Sequence, residues 1–333
     1  MALKMKLHPD CPVPKELISQ IHLLDDCNLS CKHCYVGDSR FKPRERPSTE
    51  ELKRRMKLMI DFSNDIGFEE HTMNISGGEP TLRKDLFDLI SFINSEGVYP
   101  YLLTNGLKLD RDYTSKLLEA GCGGIQISLE GTKTGNDMLR GKGSFDKAVR
   151  GIMIAKEMGL SVTVGVTISK ENVERVHDLF EELDGSVNKF HVRELTQIGA
   201  GSLLNSPTSA ERKSFYKKVY DWEGETRIFI EDPPYCTIAP DLPGKRAGCA
   251  ACICLFCVDV DGSVYPCRKA PVKIGHVDDL EAAWNSETAI RIRDRDYNGR
   301  CGSCEIKWSC GGCRGYASAS NGDVLGSDDR CFL

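Results

Sequence analysis

The sequence predicts an α/β protein in which a partial, TIM-like (β/α)6 barrel precedes a small cysteine-rich domain. Two observations predict this fold class. Between residues 18 and 195, six short apolar runs alternate with amphipathic segments, and strands that alternate with helices assemble into parallel sheets. After residue 248 long periodic segments are scarce, and this stretch holds ten of the 16 cysteines.

The six apolar runs are the predicted strands, at residues 18–24, 72–75, 99–103, 124–129, 161–168 and 189–192. The first predicted helix begins after Ser48, where Glu51 completes a capping box, and continues to about residue 66. Further helices are predicted at residues 85–94, 111–120, 145–158 and 172–183. Six units in roughly 175 residues are too few for a closed eight-unit barrel, so we expect an open one.

The chain is therefore divided into four parts. An N-terminal lead covers residues 1–17, and the barrel covers 18–195. Residues 196–247 are rich in glycine and proline and are predicted to form a connector with one helix at 209–221. The cysteine-rich domain covers residues 248–333.

Charge and hydropathy exclude several classes of protein. The net charge is −5, and the densest basic run, at residues 53–55, lies on a predicted helix as a solvated face, so no nucleic-acid partner is expected. No apolar run approaches the ~18 residues that span a bilayer. The first residues have no apolar signal-peptide core. We expect a cytoplasmic protein with no membrane partner.

The cysteine content indicates metal binding. Sixteen cysteines in a secreted chain would suggest disulfides, but the cytosol keeps thiols reduced. The remaining common use of clustered cysteines is metal ligation.

Three cysteines follow the first predicted strand with the spacing C-x3-C-x2-C: Cys27, Cys31 and Cys34. Iron–sulfur clusters are normally held by four cysteine thiolates. Three thiolates leave one iron of a [4Fe–4S] cluster open to a small molecule, as a reaction centre requires. The alternative is a zinc knuckle.

A second motif, Ser-Gly-Gly-Glu-Pro at residues 76–80, follows the second predicted strand. Its two glycines allow the backbone to approach a ligand closely. The carboxylate of Glu79 can accept hydrogen bonds from an ammonium group.

Together the two motifs resemble those of the radical S-adenosylmethionine (SAM) superfamily, over residues 18 to about 195. The resemblance implies that the open iron chelates the amino and carboxylate groups of SAM. One electron then cleaves SAM to a 5′-deoxyadenosyl radical, which abstracts a hydrogen atom from substrate. A donor such as ferredoxin or flavodoxin would supply the electron.

The same resemblance implies a set of SAM contacts at the strand ends. Asn105 is also explained by a turn before Gly106, and Arg140 by a surface position. Glu130 stands where relatives often have Asp. The implied contacts are Tyr35, Gly77, Gly78, Glu79, Pro80, Asn105, Ser128, Glu130 and Arg140.

The C-terminal cysteines, with the pattern G-x4-C and then C-x2-C-x5-C-x2-C, resemble the SPASM extension that carries auxiliary [4Fe–4S] clusters. One cluster would be held by Cys301, Cys304, Cys310 and Cys331. The other would be held by Cys267, Cys313 and two of Cys249, Cys252, Cys254 and Cys257. The spacing to Cys267 favours Cys252. Two zinc ribbons are the alternative. Cys11, Cys122 and Cys236 have no assigned role, although Cys236 lies near the cluster region.

Fully ligated auxiliary clusters can accept an electron from a substrate radical, which favours net two-electron oxidations. Some relatives have an aspartate base beside the Gly-x4-Cys cysteine, where this chain has Arg268. Asp259, Asp261 and Tyr265 are the nearby candidates.

The expected substrate is a ribosomally made peptide or protein. Only 26 residues precede Cys27, so we expect either that a separate partner presents the peptide or that the substrate is small. The alternative substrate is a porphyrin or another cofactor precursor. Other classes of function are a non-catalytic iron–sulfur carrier or sensor, and a radical methylating or isomerising enzyme.

Overall fold

The computed structural model describes residues 14–37, 45–238 and 248–333, and these form a single ten-stranded sheet. The strand order is β10-β9-β8-β1-β2-β3-β4-β5-β6-β7. Most of the predicted lead, including Cys11, lies outside the described residues.

Seven consecutive strands pair in parallel and form the barrel wall. Strands β1 to β6 confirm the six predicted ones, with ends that differ by two residues or fewer. The seven strands are β1 (Glu16–His22), β2 (Glu70–Ser76), β3 (Tyr99–Thr104), β4 (Gly124–Ser128), β5 (Ser161–Ile168), β6 (Lys189–Glu194) and β7 (Arg227–Ile230).

Helices connect these parallel strands. They are α1 (Thr49–Ile66), α2 (Leu86–Ser95), α3 (Arg111–Glu119), α4 (Lys133–Arg140), α5 (Ser144–Glu157), α6 (Val176–Glu182) and α7 (Ser209–Tyr220). Ser48 caps α1 by accepting from the backbone of Glu51, as predicted. The Glu51 carboxylate, however, accepts from Arg54 and Arg55.

Two helices differ from the prediction. Helix α4 was not predicted, because its sequence is mostly polar and contains Gly135. Helix α6 begins four residues later than predicted, because the side chain of Asn172 closes a turn on the backbone of Ser169.

The C-terminal region continues the same sheet at its other edge. Strand β8 (Leu255–Val258) pairs in parallel with β1, and β9 (Ser263–Tyr265) and β10 (Gly275–His276) follow antiparallel. Four short helices complete the region: α8 (Leu280–Trp284), α9 (Glu287–Arg293), α10 (Gly299–Ser303) and α11 (Arg314–Asn321). Strand β7 extends the opposite edge from within the predicted connector. The four-part division of the chain remains a prediction.

One hydrophobic core joins the two regions. Phe62 on α1 packs edge-on against Phe256 on β8 and Trp284 on α8. These three rings belong to the same buried cluster as the apolar residues of the barrel strands. None of the described helices is both long and apolar enough to cross a bilayer.

Candidate active site

A cavity of about 200 Å³ lies where the parallel strands end. The three cysteines of the C-x3-C-x2-C loop line it, as do seven of the nine predicted cofactor contacts. These seven are Tyr35, Gly77, Gly78, Glu79, Asn105, Ser128 and Arg140. Pro80 and Glu130 do not line it.

The two glycines pack against backbone. A Cβ on Gly77 would lie 2.4 Å from the carbonyl oxygen of Leu24, and one on Gly78 would lie 2.2 Å from that of Asp25. The amide of Gly78 donates to the Leu24 carbonyl at 2.7 Å. The glycines therefore fix the loop after β2 against the segment that leads into the three cysteines.

Glu79 is a buried carboxylate that hydrogen bonds hold in place. Its Oε1 accepts from the backbone and hydroxyl of Thr81, at 3.1 and 2.7 Å, and from the hydroxyl of Thr104 at 2.7 Å. Its Oε2 accepts from the backbone of Asn105 at 2.8 Å. Since a carboxylate offers about four lone-pair sites, Oε2 keeps acceptor capacity for a ligand. Pro80 begins the short helical turn that follows.

Glu130 holds Arg140 in place. Its carboxylate accepts from the Arg140 guanidinium, with Nε at 3.0 Å, and lies 3.1 Å from His33 Nε2. It also accepts from the backbone of Thr167 at 2.6 Å. Burial alone would raise the pKa of Glu130, but Arg140 and His33 hold it below its usual value. Glu130 thus acts on the cavity through Arg140, whose Nη1 lies 3.8 Å from the sulfur of Cys31.

Asn105 has both of the roles that the sequence allows, a position at the cavity and a contact within the turn before Gly106. It lines the cavity, and its side chain also closes the turn by accepting from the backbone of Leu107 at 3.0 Å. Its Nδ2 donates to Asn28, which lies between the first two cysteines of the loop, at 2.7 Å.

A second cavity, of about 210 Å³, lies in the C-terminal region. It is lined by the four cysteines grouped from the sequence: Cys301, Cys304, Cys310 and Cys331. Backbone amides point at two of these sulfurs, from Gly312 to Cys310 and from Asp328 to Cys301, each at 3.4 Å. Such bonds favour thiolates, which are the form that ligates a cluster.

A further thiol, that of Cys236, contacts Cys310. Pro234 and Thr237, on either side of Tyr235 and Cys236, line the cavity, whereas Cys236 does not. A hydrogen bond to Cys236 and burial together raise the pKa of the Cys310 thiol.

Three of the remaining cysteines, Cys249, Cys257 and Cys313, lie near Cys267. Burial and then the neighbouring thiols of Cys313, Cys249 and Cys257 raise the pKa of Cys267 well above its usual value. Cys252 has a φ of 55°, its carbonyl accepts from Arg293 at 3.5 Å, and its side chain is fully buried, as is that of Cys257. Because Cys249 and Cys257 are among the thiols that raise the pKa of Cys267, we predict that these two, rather than Cys252, join Cys267 and Cys313. The ligand sets remain predictions.

Comparison with known proteins now decides the family. Residues 21–183 match the model of the Radical SAM superfamily, and residues 249–305 match that of the SPASM iron–sulfur cluster-binding domain. The chain is 30% identical to the AdoMet-dependent heme synthase of Methanosarcina barkeri, over 92% of this chain and 93% of that one. The chain belongs to the radical SAM superfamily.

This radical SAM enzyme is also similar to a second relative and to a solved structure. It is 28% identical to the mycofactocin maturase MftC of Mycolicibacterium smegmatis, over 92% of this chain and 80% of that one. It shares its fold with SuiB of Streptococcus suis bound to S-adenosylmethionine, with a TM-score of 0.75 and 19% identity over 96% of this chain and 77% of that one.

The cofactors of a radical SAM/SPASM enzyme are S-adenosylmethionine and [4Fe–4S] clusters. The residues of the first cavity fit this cofactor pair. Three thiols, an acceptor carboxylate at Glu79 and a guanidinium at Arg140 suit an iron cluster and the zwitterionic end of SAM.

None of the three candidate bases of the radical SAM enzyme lines the first cavity. Asp259 lies 3.4 Å from His22 Nδ1 and 3.3 Å from Arg268 Nη1. Burial would raise the pKa of Asp259, but His22 and Arg268 hold it well below its usual value. Asp261 caps a turn at Ser263 and lines a separate pocket. Tyr265 packs against Arg268, whose Cζ lies 6.0 Å from the centre of the Tyr265 ring.

Four charged residues line the first cavity without having been predicted to do so: Arg193, Glu194, Arg268 and Lys269. The predicted sixth strand stopped just before Arg193. Arg268 and Lys269 directly follow Cys267, and this adjacency was the available signal.

A buried ionic network connects the two cavities. Arg330 donates to Asp328 at 3.0 and 2.9 Å and to Asp232 at 3.0 Å, and lies 3.5 Å from Glu194. Arg212 donates to Glu194 at 2.6 and 2.8 Å. Glu194 lines the first cavity and Asp328 the second. The network therefore fixes the cysteine-rich region against the end of β6.

Proposed function

We propose that this radical SAM enzyme carries out a net two-electron oxidation of an organic substrate in the first cavity. One observation carries the proposal. Arg268 and Lys269 line that cavity, and the residue before them, Cys267, belongs to the second group of cysteines. The cysteine-rich region is thus part of the wall around the reaction site.

Each group in the wall has a proposed task. Cys27, Cys31 and Cys34 hold three irons, Glu79 accepts from the ammonium group of SAM, and Arg140 balances negative charge beside Cys31. When bound, the open cluster with SAM supplies a 5′-deoxyadenosyl radical that removes a substrate hydrogen atom, and the auxiliary clusters supply an acceptor for the second electron.

Two substrate classes have support. A ribosomally made peptide or protein, modified by a crosslink or dehydrogenation, is supported by the likeness to MftC and to SuiB, which is also solved with the precursor peptide SuiA. A porphyrin precursor is supported by the 30% identity to a heme synthase. A ferredoxin or flavodoxin as donor, a peptide-presenting partner and a cytoplasmic location remain predictions.

The test is anaerobic reconstitution followed by iron and sulfide analysis, EPR with and without SAM, and detection of 5′-deoxyadenosine. We expect roughly twelve irons per chain, one EPR signal that SAM shifts, and 5′-deoxyadenosine formation. Cys122→Ser is the control, because this buried thiol lies away from both cavities and bonds to the carbonyl of Gly124. About four irons per chain together with zinc, or EPR signals that do not change when SAM is added, would overturn the oxidation proposal.

A further inference from the structure

Arg314 is a fully buried arginine beside the second cavity. It begins α11 and directly follows Cys313. Its Nε donates at 3.3 Å to the carbonyl of Gly312, which lines that cavity. A Cβ on Gly312 would lie 2.6 Å from Arg314 Nη2 and 3.0 Å from the sulfur of Cys301. The guanidinium of Arg314 and a predicted cluster ligand therefore face the same small space, which stays open because residue 312 has no side chain.

The hydrogen-bonding capacity of the Arg314 guanidinium is only partly used. Its Nη1 donates to the carbonyls of Val324 and Gly326, at 3.1 and 2.7 Å. Its Nη2 carries two more N–H groups, but it is buried and has no hydrogen-bond acceptor among the described residues. Buried donors without acceptors are rare, so this one calls for an explanation.

The positive charge of Arg314 also has no carboxylate partner in the part of the chain that the structure describes. Arg330, which is buried as well, forms ion pairs with three carboxylates, whereas Arg314 forms none there. The hydrogen bond from Asn298 is the main cause that holds the pKa of Asp323 below its usual value, and Arg314 is only a minor one. The ring of Tyr297, with its centre 4.0 Å from Arg314 Cζ, attracts the cation but leaves Nη2 without an acceptor. Because a buried charge without a partner is costly, we expect a negatively charged group beside Nη2.

A [4Fe–4S] cluster held by four thiolates is such a group, because its net charge is negative. We propose that Arg314 binds the auxiliary cluster of the second cavity through hydrogen bonds from Nη2 to its sulfur atoms, and that the guanidinium charge raises the reduction potential of this cluster. Net charge and hydrogen bonds to the sulfurs are among the factors that set such potentials.

This inference rests on the proposed function and assigns a task to Arg314 within it. In the second half of the oxidation, the substrate radical loses one electron and an oxidised auxiliary cluster gains it. A higher reduction potential makes the cluster a better acceptor for that electron. Arg314 would therefore favour oxidation of the substrate without touching the substrate.

The experiment compares the reduction potentials of the reconstituted holoenzyme and its variants by redox titration monitored by EPR. Arg314→Gln removes the charge and should make one auxiliary cluster about tenfold harder to reduce, which is about 59 mV for one electron. Arg314→Lys keeps the charge and should keep most of the wild-type potential. Arg300→Gln is the matched control, because Arg300 lines the same cavity with an exposed side chain that faces Asp329, and its potentials should stay close to those of the wild type.

An unchanged potential in Arg314→Gln with its full iron content would overturn the inference, and so would equal shifts in Arg314→Gln and Arg300→Gln. If Arg314→Gln does not retain the cluster, Arg314→Lys provides the test. A cluster retained there near the wild-type potential supports a role for the charge, whereas loss of the cluster in this variant too would overturn it. The iron content of the wild type and its EPR response to SAM test the proposed function separately, so the two failures can be told apart.

Discussion

Glu130 and Arg140 form a buried ion pair, with Glu130 Oε1 3.0 Å from Arg140 Nε, and the pair sets a positive charge beside Cys31. The sequence did not predict this pair, because helix α4, which ends at Arg140, was not predicted. The pair joins the end of β4 to the three-cysteine loop.

Glu130→Gln should destabilise the protein by about 3 to 5 kcal/mol, because it leaves the buried Arg140 charge without its partner. Anaerobic urea unfolding of the holoenzyme measures this, and the SAM-induced EPR shift should weaken as well. Glu157→Gln is the matched control, since it breaks the exposed pair with Arg111 and should change little. If both changes lower the free energy of unfolding equally, burial does not make the Glu130–Arg140 pair more important than the exposed pair.

Cys310→Ser should remove about four irons per chain, because it deletes one of four thiols around the second cavity. Cys236→Ser should keep the iron, although its thiol contacts Cys310. Iron analysis and EPR of the reduced proteins measure both. Loss of iron in Cys236→Ser would show that the ligand set of this cavity is wrong.

Cys257→Ser should disrupt the cluster that includes Cys267, whereas Cys252→Ser should spare it, since Cys257 and not Cys252 is among the thiols that raise the pKa of Cys267. The iron content per chain of each variant tests this prediction. The reverse result would restore the assignment that the sequence spacing favours.

His71 should make stability depend on acidity. Burial lowers the pKa of His71 to about 4, from a model-peptide value of 6.5. Its contribution to stability is therefore complete above about pH 6.5 and is lost as the pH falls toward 4. Between pH 7 and 5 this amounts to about 2 kcal/mol.

His71→Gln can keep the contact with Ser19, which lies 2.7 Å from His71 Nε2, without titrating. We expect a smaller loss of stability on acidification in this variant, measured by unfolding at both pH values. His276→Gln, at an exposed position, is the control and should retain the wild-type slope. An unchanged slope in His71→Gln would refute the prediction.

Gly78→Ala should prevent the loop after β2 from closing, because the new Cβ would lie 2.2 Å from the carbonyl oxygens of Asp25 and Asp26. The expected result is a lower unfolding midpoint and weaker SAM binding. Gly135→Ala, in α4 with no atom within 4 Å of the new Cβ, should instead stabilise by about 1 kcal/mol. A tolerated Gly78→Ala would show that the close approach is not required.

The barrel strands could be predicted because strands buried on both faces appear as continuous apolar runs. Strand β7 was missed because it has only four residues, two of them buried, inside a segment rich in loop residues. The cysteine and glycine motifs could be found because each lies on one short loop. The positions of Arg268 and Lys269 could not, because they depend on the pairing of β8 with β1.

That pairing joins Gln20 to Cys257, which are separated by 237 residues. At a synthesis rate of roughly 5 to 20 residues per second, one side of β1 leaves the ribosome roughly 10 to 50 seconds before its partner strand exists. An open strand edge is a template for pairing with other chains. The nascent barrel therefore depends on delayed completion by β8, and ribosome stalling before β8 is made would leave the barrel prone to aggregation.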